Sequence, residues 1–209
     1  MSAIALPLTI LSSAIFLGFF ILYNRNILNG SGKPNIVTWS LFSLITLINS
    51  ITYLSFTHDT LKGALAFTDC FTCLIITSLI IFKNHHFRLI LLEKIIIILS
   101  ILSLVIWYLL HSAVYANLLL QPAYILAFVP TLRNVWKNPA GESALVWLMW
   151  AFSFILTLIV VYIRWDNNPA DFINPLIALI LHTSVGLLAL RKNNIGENSG
   201  FTTSLRTYP

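Results

Sequence analysis

The stretch LRNVWKNPAGESALVW, residues 132–147, echoes an earlier stretch, NRNILNGSGKPNIVTW, residues 24–39. The shared residues lie at a constant offset of 108 positions, as from 25 to 133 and from 39 to 147. They are Arg25, Asn26 and Trp39 in the first stretch and Arg133, Asn134 and Trp147 in the second. Both stretches contain Gly, Pro and Asn, which is typical of connections between helices. The echo predicts that one structural unit occurs twice in the chain.

The composition is that of an integral membrane protein. Of the 209 residues, 58% are hydrophobic and 9% are charged, and the mean hydropathy is +0.87. A water-soluble domain of this length could not cover its surface with so few charged side chains. We therefore expect the lipid bilayer as a partner. We expect no nucleic-acid partner, because basic residues in the loops on one side of the membrane account for the net charge of +5.

Seven apolar segments are long enough to cross a bilayer, whose hydrocarbon core requires roughly 20 residues of helix. Short polar breaks rich in Gly, Pro, Asn and Ser separate these segments. We predict transmembrane helices at Ile4–Tyr23, Ile36–Phe56, Leu61–Phe82, Leu89–Leu110, Val114–Leu132, Ser143–Ile163 and Phe172–Leu190. The predicted fold class is therefore all-α, with seven spans.

The Lys and Arg residues of the breaks predict the orientation, because cytoplasmic loops carry an excess of positive charge. One side has only Lys62 and Arg164. The other side has nine basic residues, which are Arg25, Lys33, Lys83, Arg88, Arg133, Lys137, Arg191, Lys192 and Arg206. We expect an integral protein of a bacterial inner (plasma) membrane, with its N-terminus outside and its C-terminus in the cytoplasm.

The 108-residue offset explains the odd number of spans. It places spans 1, 2 and 3 on spans 5, 6 and 7, and it leaves span 4 as a linker helix that keeps the two copies parallel. Parallel repeats related by an axis along the membrane normal are a known transporter plan. We predict a first repeat at 1–86, a linker helix at 87–112, a second repeat at 113–192 and a disordered cytoplasmic tail at 193–209.

The segment VPTLRNVWKNPAGESALVWLMWAFSFILTLIVVY, residues 129–162, resembles a PQ-loop repeat. This three-helix unit is found in the SWEET and SemiSWEET sugar transporters and their relatives. The chain has Pro130, but Thr131 stands where the family has Gln, and Leu22 and Tyr23 replace the pair in the first copy. The resemblance implies a 3+1+3 membrane transporter that binds its substrate near the midplane between the repeats.

Asp69 is the most informative polar residue of the spans, since an acid at a helix centre costs about 2.5–3.5 kcal/mol on insertion scales. Such residues usually face the bundle interior and mark a pathway or a relay. Its position resembles that of the family's substrate-contacting Asn on the third helix. An acid there favours a cationic or amine-bearing solute, or proton coupling, over a neutral sugar. The alternative is a protonated Asp that bonds neighbouring helices together.

Other polar residues of the spans extend the predicted substrate site. We predict substrate contacts from Asn49, Tyr53, Asp69, Thr157 and Asn174. Asn49 and Thr157 are counterparts under the offset, whereas the counterpart position of Asp69 in the second copy holds apolar residues, Ile177 followed by Ala178. The alternative is that these residues only bond helices to each other. His182 is a candidate partner of Asp69 in a proton relay, or else a structural hydrogen bonder.

Two further features have a functional and a structural interpretation. Pro130 removes a backbone hydrogen bond and could let span 5 bend as a gate, although prolines are common in membrane helices. Trp147 and Trp150 form a W-x-x-W, which resembles the signature of the PnuC carriers of nicotinamide riboside. These rings would either stack on a substrate or anchor the helix in the interfacial belt. Glu142 and Ser143 are candidate caps of span 6.

The leading hypothesis is a SWEET-like transporter that moves a small polar metabolite, sugar-like or amine-bearing, by alternating access. The alternatives are a PnuC-like vitamin carrier and a non-transporting membrane receptor on the PQ-loop fold. We expect that the protein is not an enzyme, because its sequence has none of the catalytic motifs considered: no HExxH, no nucleophile elbow and no acid cluster. We predict no cofactor and no metal, since Cys70 and Cys73 lack a second ligand pair. The sequence leaves open whether copies of the chain form a homo-oligomer.

Overall fold

The computed structural model of the chain describes residues 2–30, 34, 36–83 and 90–203, and the side chains of 3–30, 34, 36–82 and 90–191. The described residues form seven long helices and one short 3₁₀ turn at Pro139–Gly141. The helices are α1 (Ser2–Leu28), α2 (Ile36–Thr57), α3 (Thr60–Lys83), α4 (Leu91–Leu110), α5 (Ala113–Lys137), α6 (Ala144–Ile163) and α7 (Ala170–Thr203). All seven are long and apolar enough to cross a membrane. The prediction of an all-α protein with seven spans is confirmed.

Several helices extend beyond the apolar segments that predict them. α1 continues to Leu28 and ends where Gly30 adopts a φ of 74°, a left-handed conformation that suits glycine after a helix. α7 continues to Thr203 into the segment for which we predict disorder, and residues 204–209 lie outside the described residues. The predicted start of span 4, Leu89, also lies outside them. Hydropathy identifies only the part of a helix that lies inside the bilayer, so it does not predict the polar ends of a helix.

The neighbours of each helix form a paired pattern. α1 packs against α3 and α6, and α5 packs against α7 and α2. α2 also packs along α3, α6 along α7, and α4 along α5. If α1, α2 and α3 correspond to α5, α6 and α7, each of these contacts among the six helices has a counterpart, whereas the smaller contact of α3 with α6 has none of similar extent. The pattern is the one that the repeat predicts, but neighbours alone do not establish it, and the repeat stays a prediction.

One end of the bundle, here called the Asp59 end, is closed by charged side chains. Asp59 accepts hydrogen bonds from the backbone N–H groups of Leu61 and Lys62 at the start of α3, and Arg164 Nε donates to Asp59 Oδ2 at 2.5 Å. Lys62 Nζ lies 2.5 Å from Asp171 Oδ2 and 3.3 Å from an oxygen of Asp166. We call Asp59, Lys62, Arg164, Asp166 and Asp171 the ion-pair cluster. It joins the start of α3 to the connection between α6 and α7.

Candidate binding site

Rings from five helices surround a small cavity of about 10 Å³, room for about one water molecule, in the interior of the bundle. We call this set of rings the aromatic cage; it consists of Phe16, Trp39, Phe42, Tyr124, Phe128, Trp147, Trp150 and His182. α3 contributes the polar side of the same cavity through Asp69, Thr72 and Cys73. The cage therefore combines ring faces, which attract cations, with a carboxyl group.

The aromatic cage is closed in this structure. Ring centroids lie 4.6 Å apart between Phe42 and Phe128 and 6.4 Å apart between Trp39 and Trp147. A planar ligand between two rings needs about 3.5 Å to each face, hence a separation of roughly 7 Å. A ligand can enter between these rings only if helices or side chains move apart.

Trp147 and Trp150 lie inside the bundle, only 1% and 2% exposed. Trp150 Nε1 donates to the Phe16 carbonyl at 3.1 Å, so even the polar edge of this ring bonds inside the bundle. Tryptophans of an interfacial belt would keep a face toward lipid headgroups. The interpretation of this pair as a membrane anchor is therefore wrong, and the rings are available to the cavity. Trp136 and Trp165 are the more exposed tryptophans.

Asp69 lies at the boundary of two cavities and has no basic partner among the described side chains. It is 9% exposed, and the Cys73 thiol donates to its Oδ1 at 3.4 Å. The ion pairs of the described residues are all at the Asp59 end. A buried carboxylate without a counterion is strongly disfavoured, so this group requires either a proton or a bound cation.

One ring nitrogen of His182 makes a hydrogen bond to the backbone, and the other can bind a ligand or a proton. Its Nδ1 lies 2.8 Å from the Ala178 carbonyl oxygen, and because a carbonyl can only accept, Nδ1 carries the hydrogen. Nε2 is therefore the nitrogen that a ligand or a proton would engage. The ring packs against Phe128, Trp147 and Phe154, with centroids 5.0–5.4 Å apart. A role of His182 in a proton relay stays a prediction.

A closed ring of four amide hydrogen bonds lies on the other side of Asp69 from the cage. Asn49 donates to Asn174 at 3.2 Å, Asn174 to Gln121 at 3.3 Å, Gln121 to Asn117 at 3.1 Å, and Asn117 back to Asn49 at 3.0 Å. We call these four residues the amide ring. Three of them, with Asp69, line a second small cavity of about 10 Å³. The amide ring joins α2, α5 and α7.

Three of the five predicted substrate contacts come together, and two do not. Asn49, Asp69 and Asn174 line the second cavity. Tyr53 instead donates to the Asp171 carbonyl at 2.7 Å, beside the ion-pair cluster. Thr157 lies 3.1 Å from Ser12 and bonds α6 to α1. This α1–α6 interface is the counterpart, under the repeat offset, of the α2–α5 interface where Asn117 bonds Asn49, but Thr157 lines neither of the two cavities.

Asn117 and Gln121, the α5 members of the amide ring, were not predicted from the sequence. The available signal was their spacing, since two amide side chains four residues apart share one face of a helix.

Pro130 lies nearer the other end of the same helix, and α5 continues without interruption past it to Lys137. A gating role of Pro130 therefore stays a prediction.

The opposite end of the bundle, here called the Glu142 end, has a polar closure of a different kind. Glu142 accepts a hydrogen bond from Tyr23 Oη at 3.3 Å and one from Trp147 Nε1 at 2.9 Å. Burial raises the pKa of Glu142 to about 7, against the opposing effect of these two hydrogen bonds.

Ser143 is the first residue before α6, but its side chain makes no capping bond, so the capping prediction is wrong.

An open depression of about 270 Å³ lies beside Glu142, and we call it the vestibule. Its other lining residues belong to the end of α5 and the turn after it: Thr131, Asn134, Val135, Lys137, Asn138 and Gly141. Glu142 thus lines the vestibule and also accepts a hydrogen bond from Trp147 of the aromatic cage.

Comparisons with family models, curated proteins and solved structures gave no match. The class of protein is therefore set by the fold and the cavities: a seven-helix integral membrane protein whose interior holds an acid, an aromatic cage and an amide ring. No relative adds a particular function to that class.

Proposed function

We propose that the chain is a SWEET-like carrier that moves a small amine-bearing, cationic metabolite across the membrane by alternating access. The observation that carries the proposal is Asp69, a buried carboxyl group without a basic partner among the described side chains, facing an aromatic cage. Intramembrane acids of this kind commonly mark substrate and ion pathways.

The chemistry of the two cavities favours a cation over a neutral sugar. A cation over the face of Trp or Tyr is attracted by about 2 kcal/mol or more when water is excluded. Asp69 adds a full negative charge at the edge of the same cavity. The amide ring, with both donors and acceptors, suits the polar remainder of such a molecule. A neutral sugar would leave the carboxyl group without a counterion.

The polar groups also form an ordered series along the bundle. From the Asp59 end they are the ion-pair cluster, the amide ring, Asp69, the aromatic cage and Glu142, followed by the vestibule. Such a series suits a pathway whose two ends open in turn. By the positive-inside rule, the Asp59 end faces outward and the Glu142 end faces the cytoplasm of a bacterial inner membrane. The contacts of α1 with α6 and of α2 with α5 would be the surfaces on which the repeats rock.

Uptake by proteoliposomes tests the proposal. We expect the purified protein to transport one or more members of a panel of organic cations (choline, thiamine, nicotinamide riboside) and not glucose. Asp69→Asn, which keeps the shape and removes the charge, should abolish uptake, whereas Asp69→Glu should retain part of it. Thermal unfolding checks that both variants are folded. Undiminished cation uptake by Asp69→Asn would show that the site is wrong.

A PnuC-like vitamin carrier is the second candidate, and the burial of Trp147 and Trp150 favours it. Nicotinamide riboside carries a positively charged aromatic ring, which fits a cavity of ring faces beside an acid. Quenching of tryptophan fluorescence by this compound, weakened in Trp150→Phe, would support this candidate. Binding without uptake, for any of the cations, would instead favour a receptor.

A further inference from the structure

We propose that Glu142 is a second cation-binding position, through which the amine-bearing substrate passes between the aromatic cage and the vestibule. The inference rests on the proposed function, because it assumes a cationic substrate. It adds a residue, a route and a rate-controlling step that the site around Asp69 does not contain.

Glu142 touches both spaces that the substrate would connect. On one side its carboxylate oxygens accept from Tyr23 and from Trp147, and the Trp147 ring is a wall of the cage. The Tyr23 ring lies 5.3 Å from the centroid of Trp39, another wall. On the other side Glu142 lines the vestibule. A group leaving the cage toward the vestibule therefore meets this carboxylate.

The partners of Glu142 are ones that a cation can replace. Tyr23 from α1 and Trp147 from α6 are neutral donors, and no Lys or Arg among the described side chains lies within ion-pair distance of Glu142. Lys137 of α5 lines the same vestibule but does not pair with it. A charge-assisted bond to an ammonium group is roughly twice as strong as a neutral one. Burial raises the pKa of Glu142 to about 7, although both hydrogen bonds act to lower it.

Exchange of partners at Glu142 would also open the cage. When an ammonium group takes the place of Trp147 Nε1, the indole ring loses the bond that holds it 2.9 Å from the carboxylate. Trp147 packs against Trp39, Phe128 and His182, so its release widens the cavity on the vestibule side. The substrate then moves from Asp69 across ring faces to Glu142, with a carboxylate at each end of the aromatic path.

Stopped-flow quenching of tryptophan fluorescence by N-methylpyridinium, a planar organic cation, tests the inference in the full-length protein. We expect Glu142→Gln to slow association and dissociation together, by tenfold or more, while the equilibrium Kd changes by less than threefold. The reason is that an intermediate position on the path affects the barrier and not the end state. Glu142→Asp should restore part of both rates. Asp69→Asn should instead weaken the Kd by tenfold or more.

The matched control is Glu93→Gln, because Glu93 lies at the start of α4 and lines neither the cage cavity nor the vestibule. This variant should bind and release at wild-type rates. If Glu142→Gln keeps wild-type rates while Asp69→Asn loses affinity, the inference is wrong and the proposed function stands. If Glu142→Gln loses affinity as Asp69→Asn does, Glu142 belongs to the primary site and the inference is also wrong. If the wild type does not bind the probe, or Asp69→Asn binds it normally, both proposals fail.

Discussion

At the scale of single residues, Asp69 and Glu142 are the two acids that shape the interior of the bundle. Each lies next to the aromatic cage, and neither has a basic partner among the described side chains. They differ in their hydrogen-bond donors: a thiol donates to Asp69, whereas a phenol and an indole donate to Glu142. Both are therefore sites where an added positive charge would be stabilised.

The raised pKa of Glu142 predicts a pH dependence of stability. Because the folded protein binds this proton more tightly than the unfolded chain, the free energy of unfolding should fall as the pH rises from about 4.5 to about 7. Above pH 7 this contribution should level off. Melting temperatures of purified protein between pH 5 and 8 measure it. Glu142→Gln should flatten the curve relative to Glu93→Gln, and an unchanged slope would contradict the assignment.

Residue patterns predicted part of the site. Asp69, Asn49 and Asn174 could be found because a polar side chain in an apolar span requires a partner. Glu142 could not, since it lies in a polar turn where an acid is expected, and its bond to Tyr23 joins residues far apart in sequence. Thr157 lies at the helix interface that the offset predicts from Asn49, but it bonds Ser12 there and lines neither cavity, because the offset predicts the interface and not the side chains that face it.

At the scale of elements, the two ends of the bundle are closed differently. At the Asp59 end, the Lys62 side chain is 1% exposed and the Asp171 side chain 0% exposed, so their ion pair excludes water. At the Glu142 end, neutral hydrogen bonds face an open vestibule. The structure is thus more firmly closed at the Asp59 end, and α3 is the helix whose start makes that closure.

Removing the buried cation should loosen the Asp59 end. Lys62→Gln leaves Asp171 without its charged partner, which typically costs about 3–5 kcal/mol. We expect lower thermal stability and faster modification of Cys73, which lines the cage cavity, by a charged, membrane-impermeant thiol reagent. The labelling is measured in protein that also carries Cys70→Ala, so that Cys73 is the one cysteine left of the two in the chain.

Lys94→Gln is the control for this experiment, because Lys94 is an exposed lysine of α4. It should leave both the stability and the labelling rate of Cys73 unchanged. Equal labelling of Cys73 in the Lys62 and Lys94 variants would show that the ion-pair cluster does not close the pathway.

At the scale of the whole molecule, the number of spans was predictable and the architecture of the site was not. Hydropathy identifies seven spans because each must match the bilayer on its own. The aromatic cage instead joins rings from Phe16 in α1 to His182 in α7, and no local pattern marks such partners. The amide ring is likewise formed by three helices at once. The molecule as described holds both cavities closed.

If the interior of the bundle selects positive charge, two ligands of the same shape that differ only in charge should bind with different affinities. Choline and 3,3-dimethyl-1-butanol have nearly the same shape, but only choline is a cation. Calorimetric titration of wild type and Asp69→Asn should show at least a tenfold preference for choline in the wild type, which corresponds to about 1.4 kcal/mol. The preference should disappear in the variant. Equal affinity of the wild type for both compounds, or an undiminished preference in Asp69→Asn, would show that Asp69 does not select positive charge.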